Sequence, residues 1–286
     1  MNILSIQSWV CYGHVGNASA VFPLQRLGAE VWSINTVQFS NHTGYGAWAG
    51  QVYSGQSVRE LVEGIAARDA FRHCDAVLSG YVGDAGIGDA ILHAVALARR
   101  ANPAALYCCD PVIGDTDTGV YVRPGIETLL HDSVLPAADI ATPNRFELER
   151  LTGIDCGSLS GAKHAIQRLR ALLRSAGPGC ILLTSLETDS TPADAIDMLS
   201  FEGGVFHLLR TPRLPVSVNG AGDAIAALFL FHRLRTGSAA AAMAAAGSSI
   251  HGLLRRTAEA GSREILTVAA QDEFVTPSRV FRAVAV

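Results

Sequence analysis

The stretch Asn219-Gly220-Ala221-Gly222-Asp223 precedes an uninterrupted apolar run over residues 224–231. Two glycines at the start of a helix leave backbone N–H groups free to face a bound anion, and the helix dipole favours negative charge there. An aspartate at the end of such a turn can accept a proton from a hydroxyl that attacks phosphorus. It can equally well cap the helix, and these residues alone favour neither role. A dinucleotide-binding fingerprint is excluded, because Ile225 stands where its third glycine would be.

Short apolar runs alternate with amphipathic stretches along the whole chain. Most of the runs are uniformly apolar, which is typical of parallel strands covered on both faces. The repeated order of strand and helix predicts an α/β fold with a doubly wound sheet and helices on both faces. Strands are predicted at residues 3–7, 30–35, 75–79, 106–109, 139–142 and 180–184, and helices at residues 57–68, 87–100, 161–173, 221–234 and 238–256.

Two segments interrupt the alternation. Residues 40–46, Ser-Asn-His-Thr-Gly-Tyr-Gly, are a polar and glycine-rich excursion between a strand and a helix. Residues 195–209 hold two runs separated by Glu202-Gly203-Gly204, which predicts an antiparallel hairpin with a glycine turn. No repeat or low-complexity linker is visible, so we expect a single domain over residues 1–286.

Composition excludes several classes of protein. The 286 residues are 49% hydrophobic and 17% charged, enough for a large core and too little charge for disorder. A net charge of −4 and a pI near 6.1 argue against binding to nucleic acid or to an anionic membrane. The run 224–231 is far shorter than the roughly 20 residues that span a bilayer. No basic leader segment precedes the first strand, so we expect a cytoplasmic protein.

The basic, cysteine and histidine residues exclude further chemistry. Of the 22 basic residues only Lys163 is a lysine, and it lies in a helical pattern, so a P-loop and a protein-kinase site are both absent. A Schiff-base role for Lys163 is disfavoured, since it lies on what reads as a solvated helix face. The six cysteines form no Cys-x-x-Cys pair and the nine histidines have no zinc spacing, so structural roles are favoured for both.

Polar residues that follow the predicted strands are the candidate site, because ligands of open α/β sheets bind outside the carboxyl ends of the strands. A second cluster, Asp110-Pro111-Val112-Ile113-Gly114-Asp115, follows one strand directly, and Glu147 follows the next. Alone these carboxylates read as a solvated loop, but beside an anion-binding turn they suit Mg²⁺ held largely through water and phosphate. The collected residues are Ser8, the 40–46 loop, Tyr81, Asp110, Asn144, Glu147, Thr184 and the 219–223 turn.

The motifs resemble those of a known enzyme family over about residues 3–271. Gly220-Ala221-Gly222-Asp223 matches the Gly-x-Gly-Asp signature of the ribokinase-like superfamily, whose fold is a three-layer α/β/α sandwich with a mostly parallel sheet. Asp110-Pro111-Val112 and Thr142-Pro143-Asn144-x-x-Glu147 match its vitamin-kinase branch. The strings that resemble pyridoxal kinases specifically are Ser5-Ile6-Gln7-Ser8, Gly13-His14-Val15-Gly16-Asn17, residues 37–45 and Leu78-Ser79-Gly80-Tyr81.

The resemblance implies transfer of the γ-phosphoryl group of ATP to the 5′-hydroxyl of pyridoxal, and also of pyridoxine and pyridoxamine. Asp223 would be the base on that hydroxyl, and the amides of Gly220, Ala221 and Gly222 would hold the transferring phosphoryl group. By the same resemblance, the pyridoxal ring would be bound by Ser8, Thr43, Gly44 and Tyr81.

The resemblance also implies a nucleotide side and a metal. Mg²⁺ would be held by Asp110, Asp115 and Glu147, with a monovalent cation as a further option, and a homodimer is expected. The segment from Asp115 to Tyr121 resembles a mobile flap in which Gly119 gives freedom to close. The nucleotide would be flanked by Asp110, Thr142, Asn144, Glu147 and Thr184, and by Arg210, Thr211, Pro212 and Arg213.

Two other functions stay open at this point. A hydroxymethylpyrimidine kinase of the same fold shares the Asp-Pro-Val and Gly-x-Gly-Asp elements. A non-catalytic pyridoxal-binding protein is favoured by Thr184-Ser185-Leu186, which stands where some relatives have a lysine for the phosphates. The flap also lacks the thiol that some relatives carry there, which points to weaker turnover and affinity. Retention of Asp223, Glu147 and the glycines speaks against that reading.

Overall fold

A ten-stranded sheet organises the chain in the computed structural model, which describes residues 1–286. The strands run in the order β12-β11-β10-β9-β8-β5-β4-β1-β2-β3, and β6 pairs with β7 in a separate hairpin. The strands are β1 (Asn2–Val10), β2 (Glu30–Phe39), β3 (Gly50–Val52), β4 (Ala76–Ser79), β5 (Leu106–Cys109), β6 (Gly114–Asp115), β7 (Gly119–Val120), β8 (Ile140–Ala141), β9 (Cys180–Leu186), β10 (Ala195–Glu202), β11 (Val205–Pro212) and β12 (Val284–Ala285).

The middle of the sheet is parallel and its two sides are antiparallel. Strands β9, β8, β5, β4, β1 and β2 pair in parallel, so their carboxyl ends meet at one edge. Strand β3 pairs antiparallel with β2, and β10, β11 and β12 form an antiparallel extension beside β9. Parallel strands are joined by crossover connections, which usually contain a helix, and helices here cover both faces of the sheet.

Five of the helices begin at a residue whose side chain caps the first turn. The side chains of Ser54, Asp84, Asn144, Ser158 and Ser238 each accept a backbone N–H from the first turn of a helix. The helices are α1 (Asn17–Arg26), α2 (Gly55–Ala66), α3 (Ala85–Ala101), α4 (Ile126–Leu129), α5 (Arg145–Thr152), α6 (Leu159–Leu172), α7 (Ala221–Thr236), α8 (Ala239–Glu259) and α9 (Asp272–Val275).

Two hydrophobic cores lie on opposite faces of the sheet. Leu4 and Val77 point into the core under α2, α3 and α6, whereas their neighbours Ile3 and Leu78 point into the core with Phe229 of α7. Successive residues of a strand face opposite sides, so only a uniformly apolar strand can fill both cores. The need to fill two cores explains the uniformly apolar runs seen in the sequence.

The predicted α/β architecture is confirmed, including the hairpin with its turn at Gly203-Gly204. The ends of several elements differ from the prediction: β1 continues to Val10, β2 to Phe39, and β8 is reduced to Ile140–Ala141. Helices α1, α4, α5 and α9 are absent from the prediction. Lys163 packs its ammonium 5.5 Å from the ring of Phe206, away from the sheet's carboxyl edge. No helix is long and apolar enough to cross a membrane.

Candidate active site

The carboxyl edge of the parallel strands gathers most of the polar residues chosen from the sequence. Strand order brings residues together that are far apart in the chain, because β1 lies between β2 and β4 and the edge continues through β5, β8 and β9. Along this edge lie Ser8 on β1, Tyr81 after β4, Asp110 after β5, Asn144 and Glu147 after β8, and Thr184 on β9.

The glycine turn forms the start of α7. Gly220 is the N-cap with φ of +89°, a left-handed conformation that an L side chain rarely adopts, and a Cβ there would collide with the carbonyl oxygen of His14. The Ser19 hydroxyl donates to the Gly220 carbonyl oxygen at 2.7 Å. The turn is therefore held against the start of α1 and the loop after β1.

Gly222 and Asp223 present the first turn of α7 to the edge. No side chain caps this helix, so its first N–H groups stay available. A Cβ on Gly222 would meet no atom within 4 Å, which means that the space in front of this residue is open. Burial raises the pKa of Asp223 to about 6, while the backbone N–H of Gly16 opposes that rise.

Asp110 lies beside this turn and is 6% exposed. The Thr142 hydroxyl donates to its carboxylate at 2.9 Å. Burial first, and then the negative charges of Glu147 and Asp223, raise the pKa of Asp110 well above its usual range. The three carboxylates thus share one electrostatic environment, and none of them forms an ion pair with a basic side chain.

The Glu147 carboxylate accepts hydrogen bonds from the backbone of the two neighbouring loops. Its two oxygens accept backbone N–H groups from Ile113 at 3.0 Å and from Asn144 at 2.8 Å, while Asn144 caps α5 in return. Burial raises the pKa of Glu147 to about 7 against the effect of these backbone hydrogen bonds. The Asn144 amide also donates to the Gly114 carbonyl oxygen at 2.8 Å, so this capping box holds the base of the β6–β7 hairpin.

The three carboxylates predicted to hold Mg²⁺ largely through water and phosphate, Asp110, Asp115 and Glu147, do not form a direct ligand cluster, and their metal role stays a prediction. No group of three potential ligand side chains converges on one point. One oxygen of Asp115 is engaged by the N–H groups of Asp117 and Thr118 and by the Thr118 hydroxyl, because Asp115 closes the turn of the hairpin. Asp110 and Glu147 remain as buried oxygen donors beside the glycine turn.

The residues expected to bind a ring lie on the β1–β2–β4 side of the edge. Ser8 is 8% exposed and lies against Gly16, whose N–H faces Asp223. Thr43 and Gly44 are exposed in a short 3₁₀ turn, and a Cβ on Gly44 would be 4.0 Å from the amide nitrogen of Asn219. Tyr81 is half-buried, and its carbonyl oxygen accepts the Thr36 hydroxyl at 2.9 Å.

On the other side of the edge, the predicted nucleotide residues divide into two groups. Thr142 and Thr184 are buried at the ends of β8 and β9, and the Thr184 N–H donates to the Pro143 carbonyl oxygen at 3.0 Å. The second group, residues 210–213, lies on β11 and just after it. In this group Thr211 is buried and Pro212 is half-buried.

The two arginines of that segment are engaged elsewhere. Arg210 donates twice, at 2.7 Å each, to Asp197, which is 1% exposed. Arg213 pairs with Glu187. Both guanidinium groups form ion pairs around the antiparallel strands and stay partly exposed, and their predicted role toward the nucleotide stays a prediction.

Two residues near Asp223 were not selected from the sequence. Gly16 places its N–H against the carboxylate, and only its place in a conspicuous string before α1 could have drawn attention to it. Tyr121 ends the hairpin, with its N–H donating to the Ile113 carbonyl oxygen at 3.1 Å. Partial burial, followed by the charges of Glu147 and Asp223, raises the pKa of the Tyr121 phenol.

Comparison with known proteins gives a consistent result. A family model described as phosphomethylpyrimidine kinase matches residues 56–268. Pyridoxal kinase PdxY of Granulibacter bethesdensis is 64% identical over 283 residues, which cover 99% of both chains. The same-named protein of Deinococcus radiodurans is 54% identical over 284 residues, 99% of this chain and 95% of that one.

Solved structures give the same picture. Pyridoxal kinase from Leishmania donovani, in complex with ADP and pyridoxamine, has a TM-score of 0.91 at 28% identity and covers 100% of this chain and 99% of its own. This likeness confirms the mostly parallel three-layer fold of the ribokinase-like proteins.

Proposed function

Since the chain belongs to the pyridoxal kinase family, we propose that it transfers the γ-phosphoryl group of ATP to the 5′-hydroxyl of pyridoxal at the Gly220–Asp223 turn. The product is pyridoxal 5′-phosphate, and pyridoxine and pyridoxamine are the related acceptors. One observation carries the assignment of the reacting centre: Asp223 faces Gly16 of the β1 side and shares the environment of Asp110 on the β5 side. A hydroxyl acceptor and a phosphate donor can therefore meet at its carboxylate.

Asp223 is the general base of the proposal. A pKa of about 6 leaves its carboxylate ionised near neutral pH and still basic enough to take a proton from a hydroxyl. Its position in the first turn of α7 fixes the carboxylate close to the helix N–H groups. The proton of the 5′-hydroxyl would pass to Asp223 as the oxygen attacks phosphorus.

The first turn of α7 holds the transferring group. The N–H groups around Gly220, Ala221 and Gly222 have no side-chain cap, and the space before Gly222 is open. Oriented N–H groups at a helix start stabilise the negative charge on phosphoryl oxygens without having to reorganise. Since no lysine lies at this edge, these amides carry a larger share of that stabilisation.

The donor set also fits Mg²⁺. Asp110 and Glu147 bring buried carboxylates together without a basic partner, and burial, followed by the charge of Glu147, raises the pKa of Asp110. When bound, Mg²⁺ would neutralise charge on the nucleotide phosphates. We propose that Asp110 holds it through water, with Glu147 beside it, and that Thr142 fixes the orientation of the Asp110 carboxylate. Asp115 is assigned to the hairpin turn instead.

The acceptor lies on the β1 side in this proposal. Ser8 would hydrogen bond to the ring edge, with Thr43 and Gly44 above the ring and Tyr81 along its side. The family model begins at residue 56, so it covers Asp110 and Asp223 but omits Ser8, Thr43 and Gly44. Relatives named pyridoxal kinase match 99% of the chain, including these three residues. The first 55 residues therefore carry much of the support for pyridoxal as acceptor.

The deciding experiment incubates the purified protein with Mg²⁺-ATP and pyridoxal and follows pyridoxal 5′-phosphate by absorbance and mass. We expect Asp223→Ala and Asp223→Asn to lose turnover while still binding pyridoxal, because only the proton acceptor is removed. Asp272→Ala, a change of an exposed carboxylate in the first turn of α9, is the matched control. Unchanged turnover in both Asp223 variants would remove Asp223 from the role of base.

A pyrimidine acceptor is the second candidate, because the matched family model is described as phosphomethylpyrimidine kinase. Competition between pyridoxal and hydroxymethylpyrimidine in the same assay separates the two. A clear preference for the pyrimidine would overturn our choice of acceptor and leave the phosphoryl-transfer site intact. Pyridoxal binding with no release of ADP would instead favour a binding protein.

Three further properties belong to the proposal. We expect one kinase domain over residues 1–286, a homodimer and a cytoplasmic location. Sedimentation of the purified chain at several concentrations would test the dimer. Small molecules, rather than nucleic acid or membranes, are the expected partners.

A further inference from the structure

A carboxylate far from the sequence motifs joins two loops of the site. Glu264 lies in the segment that follows α8. One of its oxygens accepts the Tyr45 hydroxyl at 2.6 Å, and the other accepts the His14 backbone N–H at 3.3 Å. Tyr45 belongs to the 3₁₀ turn that carries Thr43 and Gly44, and His14 belongs to the loop between β1 and α1.

The backbone around Glu264 is held firmly. The Ser262 hydroxyl donates to the Glu264 carbonyl oxygen at 2.6 Å and accepts the Glu264 N–H at 3.2 Å. Two residues further, the Leu266 N–H donates to the buried hydroxyl of Thr257 on α8 at 3.2 Å. Ile265 is 1% exposed. The carboxylate is therefore presented from a fixed support.

The same segment contacts the glycine turn. The position that a Cβ of Gly220 would occupy is 3.2 Å from the Ile265 side chain and overlaps the His14 carbonyl oxygen. His14 thus bonds Glu264 through its N–H and packs against Gly220 through its carbonyl group. Gly13 lies so close to the Glu264 carboxylate that any side chain there would collide with it.

The Tyr45 ring has additional supports. Its ring packs against Tyr12 with centroids 6.1 Å apart, and the Arg263 guanidinium lies 5.0 Å from its centroid. Within the turn, the Gly44 N–H donates to His42 Nδ1 at 3.2 Å. Gly44 is thereby tied into the same unit that Tyr45 links to Glu264.

We propose that Glu264 is a positioning residue that holds the 42–46 turn at a fixed distance from the Gly220–Asp223 turn. This inference rests on the proposed function, since it takes Thr43 and Gly44 to bind the acceptor. The acceptor's hydroxyl must lie within hydrogen-bond reach of Asp223, and small misplacements at that point are costly. Glu264 acts through Tyr45 and His14 and does not touch the acceptor.

The test is a double-mutant cycle on Tyr45 and Glu264. Tyr45→Phe removes only the link to the turn, so we expect the KM for pyridoxal to rise about five- to tenfold with kcat and the KM for ATP little changed. Glu264→Gln keeps the shape but leaves one oxygen for two donors, so we expect the same rise in KM together with a fall in kcat of a few fold. In the Glu264→Ala background, Tyr45→Phe should add almost nothing.

Glu259→Gln is the matched control, since this carboxylate lies five residues away at the end of α8 and pairs with Arg255 on the surface. A lowered melting temperature in the Glu264 variants with an unchanged KM for pyridoxal would overturn the proposal, and so would fully additive effects in the cycle. If the unmodified protein makes no pyridoxal 5′-phosphate, the proposed function fails instead. The two failures are therefore distinguishable.

Discussion

Gly220 and Gly222 stand two residues apart in one turn, yet the structure predicts opposite results for the same substitution. At Gly220 an alanine would have to adopt φ near +89° and its Cβ would collide with a backbone carbonyl oxygen of His14. At Gly222 the added methyl group meets no protein atom within 4 Å. One change strains the fold, and the other occupies open space in which we place the transferring phosphoryl group.

The magnitudes follow from these environments. A left-handed backbone costs an alanine about 1–2 kcal/mol, and overpacking against His14 adds roughly 1–3 kcal/mol. Gly220→Ala should therefore lower the free energy of unfolding by about 2–5 kcal/mol. Gly222→Ala should leave it unchanged or raise it by up to about 1 kcal/mol, since alanine favours the helix. Turnover of Gly222→Ala should nevertheless fall by about 100-fold or more, because the methyl group stands where phosphoryl oxygens would meet the amides.

Denaturant unfolding and steady-state kinetics on both variants provide the measurement, with Gly237→Ala as the matched control. Gly237 ends α7 with φ of +71°, and a Cβ there meets open space, so it isolates the backbone effect from the collision and from the site. Full turnover by a well-folded Gly222→Ala variant would show that the phosphoryl group does not approach this residue, and would refute the placement of the anion.

Three further predictions follow. As the pH is lowered, kcat/KM should fall with an apparent pKa of about 6, because Asp223 acts as a base only when ionised and its pKa is raised to that value. A profile of kcat/KM that stays flat down to pH 4.5 would contradict this. Arg210→Ala should lower the free energy of unfolding by about 2–3 kcal/mol, with no change in the KM for ATP, since buried Asp197 loses both hydrogen bonds from Arg210 and keeps only the one from the Thr191 hydroxyl. A selective rise in that KM on a stable fold would support the nucleotide role predicted from the sequence. Asp110→Asn should raise the Mg²⁺ concentration for half-maximal velocity about tenfold. The melting temperature should hold or increase, because the substitution relieves repulsion with Glu147 and Asp223. An unchanged Mg²⁺ dependence would place the metal elsewhere.

The strands of the sheet could be predicted because each one is marked by the apolar residues of its own short segment. Strands such as β5 and β9 must fill cores on both faces, so the runs Leu106–Cys109 and Cys180–Leu183 are apolar and stand out from the amphipathic helices. Helix α1 was missed because Pro23 lies inside it and polar Asn17 and Ser19 are buried in its first turn, which obscures the apolar pattern. Packing against β1, β2, α7 and α9 stabilises this helix.

Two contacts of the predicted site residues can be derived from the sequence itself. The spacing of Asn144 and Glu147 is also that of a capping box, and the structure shows this pair capping α5. Counting outward from the predicted turn at Gly203-Gly204 places Asp197 directly opposite Arg210, so their ion pair follows from the hairpin itself.

The link between Tyr45 and Glu264 was beyond prediction from one sequence. The two residues are 219 positions apart, and no local pattern marks either of them as a partner of the other. Their contact depends on the fully assembled sheet and on how the segment after α8 returns to the loops of β1 and β2.

The contact between Glu264 and the first loops has a consequence for biosynthesis. Ribosomes add about 5–20 residues per second, so the acceptor half of the site, within the first 55 residues, emerges roughly 10–40 s before Glu264 can reach it. During that interval the 42–46 turn lacks both the carboxylate that fixes Tyr45 and the helix that carries Asp223. A chain that ends before residue 264 therefore lacks the carboxylate that fixes Tyr45, and a chain that ends before residue 223 also lacks the base that we propose for the reaction.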